Sequence, residues 1–249
     1  WETLLVTGGR PFLWPEHLRR LQQGADFLKL SLPCSHEELR AFAAQLIQRN
    51  QMPEAMLRLT LSRGVAARGY SPRHAANPAL VLTLHPAPVL DPAHPPRWRL
   101  ITSSLRLPAS DPLARFKTGN KLRHVLARAE ADDAGAGDAL LLNTNGHLAE
   151  AASANLFWVK NKIVHTPPLS AGPLPGVTRR RVLQLCQKMK IPARQTLARP
   201  GALRQADGVF LTLTSFGIVE VESLDGTKLR RSLLTRQLRA AWLALLRAA

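Results

Sequence analysis

Between residues 15 and 30, Leu18, Leu21, Ala25 and Leu28 recur at helical spacing, which predicts an amphipathic helix. Ser35-His36-Glu37-Glu38 has the form of a capping box and predicts a second helix running to about Asn50. From Ala55 the period shortens to two: Leu57, Leu59 and Leu61 alternate with Arg58, Thr60 and Ser62, the pattern of a half-buried strand. Further strands are predicted over 79–84 and 98–105. Leu107-Pro108-Ala109-Ser110-Asp111-Pro112 then breaks regular structure and is expected to link two domains, 1–106 and 113–249. Beyond it the pattern predicts a helix over about 121–134, a strand over 138–143 and an Asn145-Gly146 hairpin turn. A strand over 156–159, a helix entered at Pro175-Gly176, strands over 209–214 and 218–222 and a terminal helix from about Ser232 complete the order. Leu234, Leu238, Ala241 and Leu245 share one face of that last helix, which reads as a docked surface helix.

Composition narrows the class. With 45% hydrophobic and 20% charged residues the 249-residue chain can bury two cores and is not disordered. No apolar run approaches the roughly 18 residues that span a bilayer, so a soluble protein is expected. Cys34 and Cys186 fit neither a disulfide framework nor metal-ligand spacing, which points to a reducing cytoplasm and to no metal. The chain opens on Trp1-Glu2-Thr3, so the first domain is expected to lack its natural start. A formal charge of +17 raises nucleic acid as a partner. The arginines are scattered, however, and aromatics are only 5%, which disfavours it. An arginine-rich background and a pocket for an anionic substrate both remain open.

Four segments carry candidate chemistry, in a fixed order. Lys117, in Phe116-Lys117-Thr118-Gly119-Asn120, would by itself be a solvated charge. Glu150 stands among small residues in Gly146-His147-Leu148-Ala149-Glu150-Ala151-Ala152-Ser153-Ala154-Asn155. Small residues let a flat ring approach the backbone, and a buried glutamate needs a cationic partner; alone, it could equally be a turn acid held by local amides. Leu174-Pro175-Gly176-Val177-Thr178-Arg179 starts a helix whose first N–H groups can bind phosphate, as those of many helices can. Phe210-Leu211-Thr212-Leu213-Thr214-Ser215 ends a strand in hydroxyls, although threonines are also ordinary strand residues.

Lysine, acid, helix start and hydroxyl strand in this order resemble the class IV aminotransferase family, which includes branched-chain and D-amino acid aminotransferases and aminodeoxychorismate lyases. Trp1-Glu2-Thr3 is similar to the family's Phe-Glu-Thr strand, and His17-Leu18-Arg19-Arg20-Leu21 to its His-x-x-Arg-Leu helix. The resemblance covers essentially the whole chain. It implies an α+β, two-domain fold type IV enzyme, D-amino acid aminotransferase-like, with pyridoxal 5'-phosphate (PLP) in the interdomain cleft, and a homodimer. It further implies Lys117 as the lysine joined to the cofactor, Glu150 on the pyridine nitrogen and Leu174 against the ring. Arg20, Val177, Thr178 and Thr214 would hold the phosphate.

Two features are similar to the lyases in particular. Arg63-Gly64-Val65-Ala66-Ala67-Arg68-Gly69-Tyr70 resembles their Arg-Gly-x-x-x-Arg-Gly-Tyr stretch, and Lys117-Thr118-Gly119-Asn120-Lys121-Leu122 their Lys-x-x-Asn-Arg-Leu. Branched-chain transaminases commonly carry one more residue there. A 4-amino-4-deoxychorismate lyase of folate biosynthesis is therefore expected, acting on a small anionic substrate that Arg68 and Tyr70 would contact, although Arg68 could equally be a solvated loop charge. A class IV transaminase is the alternative. Family members also carry more chain before the Phe-Glu-Thr strand, which leaves a non-catalytic homologue as a further possibility.

Overall fold

The computed structural model describes residues 1–73, 75 and 77–248, which divide into two compact units. The first spans Trp1–Pro88 and takes in Phe116–Gly119. It comprises β1 (Glu2–Thr7), β2 (Arg10–Pro11), α1 (Trp14–Phe27), α2 (His36–Arg49), β3 (Ala55–Ser62) and β4 (Ala79–Pro86). The strands form an antiparallel sheet in the order β2-β1-β3-β4. Alternation puts Leu4 and Val6 of β1 with Leu57 and Leu59 of β3 on one face, where Leu18 and Leu21 of α1 and Leu39, Ala43 and Ile47 of α2 cover them. The expected capping box opens α2: Ser35 Oγ accepts from Glu38 N, and the Glu38 carboxylate accepts from Ser35 N.

The second unit holds Val89–Arg115 and Asn120 onward. Its elements are β5 (Arg97–Leu107), α3 (Leu122–Asp133), β6 (Asp138–Asn143), β7 (Leu148–Ala151), β8 (Asn155–Lys160), β9 (Ile163–Thr166), α4 (Val177–Lys188), β10 (Ala193–Gln195), the single turn α5 (Gly201–Arg204), β11 (Gly208–Leu213), β12 (Gly217–Leu224), β13 (Thr227–Lys228) and α6 (Leu233–Arg247). Pairing runs β10-β9-β8-β11-β12-β5-β6-β7, with β13 on β12. A further β7–β8 pairing closes β8, β11, β12, β5, β6 and β7 into a six-membered ring. All six residues of β6 are buried, because Leu140 and Leu142 enter one core while Ala139 and Leu141 meet Ala127 and Ala131 of α3. That explains its continuous apolar run.

One boundary differs from the sequence expectation. β5, placed by its position before the 107–112 break in the smaller domain, pairs in parallel with β6 and β12 and belongs to the second unit. The units change at Pro88–Val89, within a proline-rich stretch that includes Pro86, Pro88, Pro92, Pro95 and Pro96. A period-two pattern identifies a strand but not the sheet it joins. Among the described residues, no helix is long and apolar enough to cross a membrane.

Candidate active site

Glu150 sits in the short strand β7, opposite Leu141 on β6 and Asn155 on β8. It is 5% exposed, so its carboxylate depends on protein donors. Leu174 N donates to Oε2 at 2.9 Å and Asn155 Nδ2 at 3.3 Å. His124 Nε2, from the first turn of α3, lies 3.0 Å from Oε1 and must carry the hydrogen there, since a carboxylate only accepts. The Asn155 amide also donates to the Leu174 carbonyl at 2.8 Å, so one side chain ties the acid to the segment ahead of α4. Gly146 makes the preceding turn: its φ is +75° and its N–H bonds the Asn143 carbonyl at 2.8 Å.

The segment Leu174-Pro175-Gly176 delivers α4 with Gly176 at the N-cap. A Cβ on Gly176 would lie 2.0 Å from Asn155 Oδ1, so the close approach needs glycine. The first intrahelical bond is Arg180 N to the Gly176 carbonyl, which leaves the N–H groups of Val177, Thr178 and Arg179 without intrahelical acceptors. All three side chains are buried, so this helix start faces protein. Arg179 donates to the Pro167 carbonyl at 3.0 Å and to Gln195 Oε1 at 3.1 Å. Burial pulls its guanidinium below the ordinary range, against the opposing charge of Glu150. Thr214 is half-buried in the turn from β11 to β12. Two residues earlier, Thr212 pairs with Asn155 across the strands, and its buried Oγ1 has no partner among the described residues.

In the first unit, Arg20 is clamped by Glu2, with Nε to Oε1 and Nη2 to Oε2 both at 2.7 Å, while His17 Nδ1 takes a position 2.8 Å from Oε2. Burial pushes the Glu2 carboxyl up, but the hydrogen bonds from Arg20 and His17 outweigh it and bring the pKa to about 2. Lys117 belongs to a segment pinned at several points. Phe116 stacks on Phe27 with centroids 4.1 Å apart, Trp1 N donates to the Lys117 carbonyl and Trp1 Nε1 to the Thr118 carbonyl, each at 3.0 Å. Lys117 Nζ lies 3.7 Å from the Trp1 ring centroid. Arg68 and Tyr70 are exposed in the loop between β3 and β4.

The second unit thus brings Glu150, Leu174, Val177 and Thr178 together through Asn155; the first holds Arg20, Lys117, Arg68 and Tyr70. The donor set suits PLP: a buried carboxylate for a pyridinium nitrogen, a helix start without side chain at its cap for phosphate, and an unpartnered buried hydroxyl on Thr212 beside them in register. Sequence reasoning missed His124, Asn155, Gly176 and Thr212 as individual contributors. Asn155 carried a signal, a lone amide at the head of the apolar strand Leu156–Val159; His124, on a helix beginning Leu122-Arg123, carried none.

Residues 1–224 match the amino-transferase class IV family, whose members are PLP-dependent. A Methanocaldococcus jannaschii protein with a provisional branched-chain-amino-acid aminotransferase name is 32% identical over 226 residues, 90% of this chain and 78% of its own. The 4-amino-4-deoxychorismate lyase of Pseudomonas aeruginosa superposes with a TM-score of 0.84 at 32% identity, covering 98% of this chain and 89% of that one. The branched-chain amino acid aminotransferase of Escherichia coli gives 0.91 at 26% identity over 98% and 84% of the two chains. The match runs through both units and includes every segment that carries the buried carboxylate and the helix start: this chain belongs to the class IV aminotransferase family.

Proposed function

We propose that the protein is a PLP-dependent 4-amino-4-deoxychorismate lyase that releases 4-aminobenzoate and pyruvate for folate synthesis, acting as a cytoplasmic homodimer. The observation that carries this reading is the short run from Lys117 to Leu122, three residues from lysine to asparagine, in which Phe116–Gly119 is pinned and α3 begins at Leu122. Bound PLP supplies an electron sink for the substrate carbon that bears the nitrogen. Glu150 keeps a positive charge on the ring nitrogen. The N–H groups of Val177 and Thr178, with Arg20 and Thr214, would hold the phosphate, and Leu174 would pack against the ring. Lys117 would hold the cofactor, and its free amine would take the proton from the substrate carbon that bears the nitrogen. The bond from the neighbouring carbon to the enolpyruvyl oxygen would then break, the ring would become aromatic, and the released enolate would take up the proton at carbon to give pyruvate. Arg68 and Tyr70 meet the substrate carboxylates. Leu122, Val125 and Leu126, 68%, 61% and 47% exposed on α3, support a partner subunit.

A transaminase is the second reading, favoured by the M. jannaschii and E. coli relatives. The two reactions differ in their need for an amino acceptor. Aminodeoxychorismate is expected to yield 4-aminobenzoate without added 2-oxo acid. Rapid amino exchange between amino acids and 2-oxoglutarate with no 4-aminobenzoate would reject the lyase.

A further inference from the structure

Glu150 accepts from three donors, and they differ in kind. Leu174 N and Asn155 Nδ2, both on Oε2, are tied to the backbone path between β8 and α4, since the Asn155 amide is itself held by the Leu174 carbonyl. Among the described residues His124 alone serves Oε1, and it comes from α3. Its side chain is 16% exposed against 6% for Glu150, so the imidazole is the more solvent-accessible of the two. Arg179 on α4 also acts on Glu150, through its field, while its own hydrogen bonds go to Pro167 and Gln195.

A carboxylate facing a pyridine nitrogen shares one proton with it. The proton on nitrogen gives an ion pair; the proton on oxygen gives a neutral pair. Inside a protein the ion pair survives only if other donors carry part of the carboxylate charge. Each donor on Glu150 therefore favours the proton on the ring. Resting on the assignment of Glu150 to the pyridine nitrogen, we propose that His124 is a positioning residue: its Nε2–H on Oε1 fixes the carboxylate plane and holds the shared proton on the ring nitrogen rather than on Glu150. His124 touches neither substrate nor cofactor in this role and acts through Glu150.

The test uses holoenzyme loaded with PLP labelled with 15N in the ring, and reads the nitrogen chemical shift in wild type, His124→Ala, His124→Leu, His124→Gln and Glu150→Gln. Leucine fills the volume that alanine leaves, and circular dichroism checks that each donor-free variant keeps the wild-type fold. The wild-type signal is expected at the pyridinium position. Loss of the donor moves it toward neutral pyridine and lowers kcat by about ten- to a hundredfold, as for one hydrogen bond to a charged group, with little change in KM. Glutamine, which donates from the same reach, returns both signal and kcat toward wild type. A donor-free variant with an unshifted signal, beside a shifted Glu150→Gln, overturns the role of His124 and leaves that of Glu150 standing. Unshifted signals in both variants reject the Glu150 assignment and the inference with it.

Discussion

Asn155 has its amide nitrogen committed to Glu150 and the Leu174 carbonyl and its oxygen against the α-carbon of Gly176. It is 6% exposed, with strand β8 behind it. A methyl group on residue 176 cannot be relieved by swinging a free side chain away, because moving Asn155 breaks the hold on the acid. Gly176→Ala is therefore expected to cost about 1–3 kcal/mol through overpacking. It should also weaken PLP retention, whereas Gly24→Ala, on α1 with open space around it, should do neither. Thermal melting and dialysis of the loaded protein check both. Glu150 was a candidate in the sequence because an acid among small residues is conspicuous, although a turn acid held by local amides has the same pattern. Asn155 and His124 were not, since what gives them a role is the return of distant segments, Leu174 and Glu150, to within hydrogen-bond distance.

At the level of elements, the polar tie from β1 to α1 sets a pH dependence. Glu2 is held at about 2 in the folded chain against an ordinary 4.5. A carboxyl lowered in this way stabilises the fold fully above its unfolded pKa and loses that contribution as pH falls through the folded one. The difference amounts to about 3 kcal/mol at 1.36 kcal/mol per unit. His17, kept below its ordinary 6.5 by burial against the pull of Glu2, acts in the same direction: the unfolded chain takes up its proton first, so stability begins to fall below that pH. From these two groups, denaturant midpoints should fall gently from about pH 6.5 to 4.5 and steeply from there toward 2. Glu2→Gln should flatten the lower limb; an unchanged slope would remove the tie as its source. Helix α2 was readable from its capping box and β3 from its alternation. The start of α1 was read to within a residue, with Pro15 in its first turn, but the left-handed Leu13 before it, at φ +55° without a side-chain cap, was not.

Over the whole molecule, the long helices and strands were legible in order; the short strands β2, β7, β9, β10 and β13 were not, nor was the assignment of strands to sheets. Parallel partners such as β5 and β6 are separated by α3, and nothing local distinguishes their pairing from an antiparallel one. The scattered arginines likewise acquire a use only in three dimensions: Arg63, Arg99, Arg128 and Arg239 each donate to backbone carbonyls, at Leu28, Gly135, Gly137 and Ile218. Lys117 stands out among the cations by its pinned segment. Incubation with PLP followed by borohydride is expected to leave the cofactor mass on the Lys117 peptide, and Lys117→Ala should abolish that label. Recovery of the label on other lysines alone would withdraw the assignment.

The six-strand ring in the second unit is joined unevenly. Five of its seams are ladders of three or more residue pairs; the sixth, β7 to β8, has one, Glu150 with Asn155, followed by the tight Ala151–Ala154 turn. The hoop is fastened by a single clasp, and the clasp is made of the acid and the amide that organise the site. On the proposed assignment of Glu150, holding the cofactor and keeping the ring shut are then one act. A substitution that loosens either residue opens a backbone joint as well as a binding site, and occupancy of the site should slow amide exchange along β7 and β8 first.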